Sequence, residues 1–453
     1  MADISTVSRT TQWGLESAPG GGVFQVETAT VIGTITGSGN ATVVVTAAGM
    51  TGSPITLSVA VLNLDTAAQV AAKIRAAMIA NSVIQAFFGI SGSGANIVLT
   101  RTVAAANDAT LNVSIDNGTC TGLTTAATST NTTAGVAGGS GTTPTVILST
   151  VGTSRFKPTG QGEPFAPMGS KLDTASVPAG REGLEMDLDA RWTYDEVNYI
   201  FASAIDKSGG TATPDGTNGK KRIFTLSKLT NSKQSYTVEQ VHTEHSQKGT
   251  YCQVSDLTLN FGWQPADSKI TAKLLGQRIT DDVVATPGLS GIAYNLVSPQ
   301  TWDVYNASTQ AGLDSASGFG RAFKASLTIP NIVGPLNRMA SGDTGFIALL
   351  EKKLAMAFKL TVGADDADLA FLTNFRAGTT TFFRLKSLGA VIAGGSPSQQ
   401  TIIVDVAVKV NKPYSPVEEQ GVAEGAEWDF DLVYDNTWGN ILSITTISEL
   451  ASL

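Results

Sequence analysis

Histidine and cysteine are nearly missing from this chain: 453 residues contain two of each. Cys120 and Cys252 lie far apart and follow neither a disulfide framework nor a zinc spacing. His242 and His245 stand in VHTEH, a strand-like stretch where residues three apart face opposite ways. With no third histidine, the pair predicts solvated strand residues and not a metal site. A Ser-His-Asp triad would have to use one of these histidines, and no G-x-S-x-G elbow accompanies them. Cys252 opens a strand pattern and reads as a small core residue.

Charge is scarce as well. Asp, Glu, Lys and Arg make up 15% of the chain, against about 25% in average soluble proteins. Gly, Ala, Ser and Thr take their place. Two readings stand side by side: a surface that ends against other subunits, or a β-rich chain with Ser/Thr-rich faces. The net charge of −8 gives nothing for tight phosphate binding. A wall that repels DNA is compatible with it. No run of 18 or more apolar residues occurs, so no membrane span is expected. The opening MADISTVSRTTQWGLESAPG has no basic start followed by an apolar stretch. It is therefore not expected to be a secretory signal, and synthesis and folding are expected in a cytoplasm.

The organisation that is present is mainly β. Residues 1–25 read as an extended arm with one aromatic, Trp13, and a Gly20-Gly21-Gly22 break. Residues 26–140 read as an inserted α+β module. ATVVVTAAG, PITLSVAVL, ANIVLTRTV and ATLNVSI are its strands. DTAAQVAAKIRAAMIAN is its helix, capped by Asp65 or Thr66, with Val70, Ile74, Ala77 and Met78 on one face. The low-complexity TTAATSTNTTAGVAGGSGTTP closes it as a linker or loop.

From there the chain repeats itself. A first pass over 141–280 runs strand (LEMDLDARWT), helix (TYDEVNYIFASAI), a Gly-rich loop, then KRIFTLSKL, QSYTVEQVHTEH, CQVSDLTLNFGW and SKITAKLLG as strands. A linker or loop is expected over 281–320. A second pass over 321–453 opens with LAMAFKLTVG, continues with the helix DDADLAFLTNFRAG, and adds TTTFFRLKSLG, QTIIVDVAVKV and AEWDFDLVYD as strands. The opening strands are offset by about 170 residues. One helix among many period-2 strands predicts tandem sandwich or barrel domains, each with a single packed helix.

The acidic pairs are Asp187 with Asp189, Asp365 with Asp366, Glu418 with Glu419, and Asp429 with Asp431. Asp187/Asp189 and Asp429/Asp431 are i, i+2 on strands, so each pair shares one face. They read as a negatively charged wall or as a solvated strand face. Glycosidase chemistry would add a cleft with aromatic platforms, which the sequence does not suggest. GSGTTPT and SGGTATPDGTNGK match no phosphate-loop pattern and read as flexible loops.

TTQWGLESAPG and the stretch RFKPTGQGEPFAPMGSKLDTASVPAGREGLEMDLDARWTYDEVNYIFASAI together resemble the opening of the major tail (tail tube) proteins of long-tailed, siphovirus-type bacteriophages. Gly14, Glu16, Ser17, Pro19 and Gly20 fit the family's arm. Met168, Gly169, Ser170 and Lys171 fit its turn. Tyr194, Asp195, Glu196, Tyr199, Ala202 and Ser203 fit its helix. The likeness covers most of 150–280 plus the arm. Residues 26–140 depart from it by interrupting the arm, and 281–453 by adding a second half.

The resemblance implies a non-enzymatic virion protein without cofactor, assembled in the host cytoplasm as stacked rings that form the conduit for genome ejection. Two tube-type domains per chain imply a trimeric, pseudo-hexameric ring; one domain implies a hexamer. Sheets of neighbouring subunits would join edge to edge. Tape-measure, tail-terminator and distal tail proteins would be partners, and DNA would meet the protein only in transit. Asp187, Asp189, Asp429 and Asp431 become candidates for an acidic lumen. Trp13, Glu16 and Pro19 become candidates for inter-ring arm contacts. The inserted module would decorate the outside, with weak host-surface binding as an option. The alternative from a different class is a cell-surface-binding or baseplate-type β-rich module without catalysis.

Overall fold

The computed structural model describes residues 10–16, 23–103, 105–136, 141–160, 182–229, 231–242, 246–337, 345–346, 348–363, 368–419 and 423–453. Strand accounts for 52% of the chain and helix for 12%, so the protein is mainly β. Two compact units divide it: 17–141, and 1–16 together with 142–453.

In the unit 17–141, Val26–Thr30, Asn96–Arg101, Phe88–Ser91 and Thr130–Thr133 form one sheet. Gly39–Thr46, Ile55–Val61 and Asn112–Asp116 form another. Helix Ala67–Ala80 starts at Thr66, which makes a reciprocal capping box with Gln69. Its residues Val70, Ala71, Ile74 and Met78 are buried with Val43, Val45, Ile97 and Val113 in a core of this unit's own. The low-complexity stretch is not all loop. Thr130–Thr133 pairs with Val26–Thr30 although every one of its side chains is exposed, so the backbone ladder and polar contacts such as Thr132 Oγ1 to the Val26 carbonyl at 3.1 Å hold it, not burial. Gly122, at φ +109°, lets two strands of this unit touch; a Cβ there would stand 2.2 Å from the Thr34 carbonyl oxygen.

In the other unit the same pairing pattern occurs twice. In the first repeat Thr10–Leu15 pairs with Tyr236–Val241, and Gly183–Arg191 with Lys269–Gly276. The long strand Gln247–Gly262 joins both layers: its first half pairs with Tyr236–Val241, its second with Lys269–Gly276. In the second repeat Trp302–Ala307 pairs with Thr381–Ile392, and Ala357–Gly363 with Ala423–Leu432. Ser398–Glu419 again joins both layers. All of these pairs are antiparallel. Lys157–Thr159 flanks Gly183–Arg191 as Ala322–Ile329 flanks Ala357–Gly363.

The two repeats are not separate bodies. Leu257–Gly262 pairs with Lys324–Ile329, and Gly219–Thr225 with Leu442–Ser448. One core runs through both. The segment 281–320 is therefore more than a linker, since it supplies Trp302–Ala307 and places Trp302 5.1 Å from Trp192 and 4.8 Å from Phe261, ring to ring.

Strand alternation makes this core. Lys269–Gly276 alternates half-buried and buried residues along its whole length, as an antiparallel strand with one wet face does. Helix Val197–Ala204 is different: all eight of its residues are buried. Helix Asp368–Ala377 anchors the second repeat through Phe371, whose ring lies 5.5 Å from Trp428 and 5.8 Å from Phe383. Truncating it to alanine would cost about 3–5 kcal/mol.

Candidate functional surface

The residues that carry the T-Y-D-E-x-x-Y pattern are anchors inside the fold. Glu196 is 1% exposed and accepts from the backbone N–H groups of Ser149 at 2.6 Å and Thr150 at 2.9 Å. Asp195 accepts from Asn295 Nδ2 at 2.8 Å. Asn198 donates to the carbonyls of Tyr194 and Asp195 and accepts from Thr446 Oγ1 at 2.6 Å. The pattern thus fixes where the helix starts and ties it to the last strand of the chain.

The arm residues are likewise internal. Trp13 is fully buried, its ring 5.0 Å from Tyr236. Glu16 is 2% exposed and accepts from Thr237 Oγ1 at 2.8 Å and the Tyr251 N–H at 3.0 Å. Both were expected at inter-ring contacts. They are instead enclosed by their own unit, because Thr10–Leu15 is a core strand and not a free arm. Pro19 lies outside the described residues, as do the turn residues Met168, Gly169, Ser170 and Lys171 and the pair Asp365 and Asp366.

Asp187, Asp189, Asp429 and Asp431 all stand on the solvent face of one continuous sheet. The sheet runs Gly183–Arg191, Lys269–Gly276, the second half of Gln247–Gly262, Ala322–Ile329, Ala357–Gly363, Ala423–Leu432 and the second half of Ser398–Glu419. The carboxylates are interleaved with lysines. Asp187 meets Lys157 Nζ at 2.5 Å, Asp189 meets Lys269 at 3.4 Å, and Glu185 meets Lys273 at 2.6 Å. Lys359 bridges Glu427 at 3.2 Å and Asp429 at 3.1 Å, and Asp431 accepts from Asn411 Nδ2 at 2.9 Å. The ammonium groups of Lys273 and Lys359 are pushed up by these hydrogen bonds.

The two repeats use opposite signs at matching strands. In the first, acids sit on Gly183–Arg191 and lysines on Lys269–Gly276. In the second, Lys359 sits on Ala357–Gly363 and the acids on Ala423–Leu432. The face is a checkerboard and not an acidic wall. Cross-strand register makes the charge pairs, and each exposed pair is worth little in stability.

Among the described residues no group of three or more His, Cys, Asp or Glu is placed to hold a metal ion. Cys120 and Cys252 are free and buried, and burial pushes both thiols up, away from nucleophilic use. Among the described residues no helix is long and apolar enough to cross a membrane. No family model and no curated protein matches the chain.

Proposed function

We propose that this chain is a structural virion protein that polymerises as stacked rings into the tail tube of a long-tailed phage, forming the conduit for genome ejection. The observation that carries this reading is the duplicated domain whose halves share one continuous sheet through Leu257–Gly262 and Lys324–Ile329. A chain already joined to itself edge to edge has the connectivity a ring of such domains needs. The resemblance of the arm and of 150–280 to tail tube proteins points the same way. The checkerboard face suits a bore. Lys157, Lys269, Lys273 and Lys359 are held by carboxylates, which leaves them poor partners for DNA phosphates. Catalysis has no part in this reading.

Negative-stain electron microscopy of the purified full chain at rising concentration tests it. Hollow tubes or stacked rings with a central bore are the expected result. Three copies per ring follow if both repeats line the bore, and six if one does. A monodisperse monomer at every concentration, with no bore-containing particle, removes the reading in favour of a binding module.

A further inference from the structure

A cleft of about 490 Å³ opens in the unit that holds the two repeats. Its walls are residues 226–229 and Asn231 after Gly219–Thr225, residues 351–354 and Met356 before Ala357–Gly363, and Tyr434 and Ile441 ahead of Leu442–Ser448. The volume falls within the range of about 300–1,000 Å³ found for small-molecule sites. The floor is apolar. Leu226 and Ile332 are core residues, and Leu354, Met356 and Ile441 lie half-buried against that core.

The rim is basic. Lys228, Lys352 and Lys353 are exposed members of the lining. Among the described residues no carboxylate pairs with any of them. Lys228 Nζ lies 4.3 Å from the centre of the Tyr434 ring and 3.4 Å from Asn436 Oδ1, contacts that leave its charge in place. The carboxylate of the lining, Glu351, is already occupied. Its Oε1 meets Lys233 Nζ at 3.1 Å, and its Oε2 accepts the Asn231 N–H at 2.9 Å. Asp435, next in the chain to Tyr434, turns its carboxylate to the N–H groups of Thr437 and Trp438. The cleft therefore offers apolar surface together with positive charge that nothing in the lining balances.

We propose that this cleft binds a single-chain amphipathic anion, a fatty-acid carboxylate, with its chain on the apolar floor and its head among Lys228, Lys352 and Lys353. An inorganic anion would leave the floor wet, and a cationic amphiphile would meet like charge. A bilayer fits less well, because the apolar side chains of the floor are recessed and only Leu229, 90% exposed, projects from the lining. The inference goes beyond the tube reading and does not depend on it.

Equilibrium dialysis of the dilute full-length protein against dodecanoate, kept below its micellar concentration, tests it. One saturable site per chain is expected. Decanoate, two methylenes shorter, is expected to bind about tenfold more weakly. Dodecanol and dodecyltrimethylammonium, which lack the negative head, are expected to bind weaker by about tenfold or more. The combined variant Lys228→Gln, Lys352→Gln, Lys353→Gln is expected to lose about tenfold for dodecanoate and nothing for dodecanol, a split that a loosened fold would not give. Met356→Glu, which puts a charge on the floor, is expected to abolish binding of both. In the wild type, dodecanoate at about ten times its dissociation constant is expected to slow acetylation of Lys228, Lys352 and Lys353 by about tenfold. Lys157, which does not line the cleft, should react as before. This readout decides the matter if a variant does not fold. Absence of a saturable site, equal binding of the cationic amphiphile, or wild-type binding by either variant overturns the inference. Binding to phosphatidylglycerol vesicles without binding of free dodecanoate overturns it too, in favour of a membrane contact.

Discussion

Glu16 holds Tyr251 in a conformation that tyrosine seldom adopts. The Tyr251 backbone has φ 54°, in the left-handed region, and its N–H donates to Glu16 Oε1 at 3.0 Å. The same oxygen accepts from Thr237 Oγ1 at 2.8 Å. One carboxylate at the end of the first strand thus fixes the middle of the long strand Gln247–Gly262. Glu16→Ala strands two buried donors and is expected to cost roughly 2–3 kcal/mol in urea unfolding. Glu16→Gln keeps an acceptor and should cost clearly less. Equal losses for both would show that charge, and not acceptor geometry, does the holding.

Arg384 and Asp405 form the corresponding fixed point of the second repeat. They face each other across paired strands with Nε to Oδ1 at 2.7 Å and Nη2 to Oδ2 at 2.9 Å. The hydrogen bonds to Asp405 raise the affinity of the guanidinium for its proton. Asp405 is 6% exposed, so Asp405→Ala leaves a cation in a nearly dry place and is expected to cost roughly 3 kcal/mol. Arg384 also contacts Asp314 at 2.6 Å, but that side chain is 71% exposed. Asp314→Ala should therefore cost under about 1 kcal/mol. Denaturant midpoints of the two variants check the ranking, and a reversed order would refute it.

Alkali should unfold this protein from the first repeat. Burial pushes the Tyr199 hydroxyl up from 10.0 to about 12, and burial raises Tyr236 and Cys252 as well. A raised folded-state value means the native state keeps protons that the unfolded chain gives up. The stabilisation is complete below pH 9 for Cys252 and below pH 10 for the tyrosines, and is lost above those values, for Tyr199 as pH rises through about 12. For Tyr199 it amounts to roughly 2–3 kcal/mol. Urea titrations at intervals from pH 8 to pH 12 should show a plateau and then a steep decline. Tyr199→Phe should make that decline shallower by about 2 kcal/mol. An unchanged slope in the variant would move the alkaline weakness elsewhere.

What was legible in the sequence, and what was not, follows from range. Helix Val197–Ala204 falls inside the expected TYDEVNYIFASAI, and Lys269–Gly276 inside SKITAKLLG, because their signals are local periodicities. The strand Trp302–Ala307 escaped notice because nearly all its side chains are half-buried, which erases the alternation. Thr10–Leu15 read as a polar arm. Yet Thr11 and Gln12 are buried, with Gln12 Nε2 donating to the Thr286 carbonyl 274 residues away. The acidic pairs were readable as sharing a face. Their lysine partners were not, since strand pairing brings Lys157 to Asp187 and Lys269 to Asp189, and sets Lys359 opposite Asp429.

The position of the inserted unit predicts that it is dispensable for the rest. Its two ends leave the host unit side by side, with Thr142 Oγ1 donating to the Leu15 carbonyl at 3.2 Å and Thr142 N–H donating to Thr237 at 2.8 Å. In the second repeat the matching connection, from Ala307 to the bridge between Tyr305 and Gly318, is only the short stretch 308–317. The inserted unit has a core of its own, made of other residues than the host's. Replacing 17–141 by the sequence of 308–317 should leave a folded protein that still assembles. Calorimetry should lose one transition and keep the other within a few degrees, about the shift of 1 kcal/mol or less. In the intact chain Gly122→Ala, which forces a Cβ against the Thr34 carbonyl, should lower only the transition that the replacement removes. A shortened chain that aggregates or melts as a single weakened species would show that the two units depend on each other for stability.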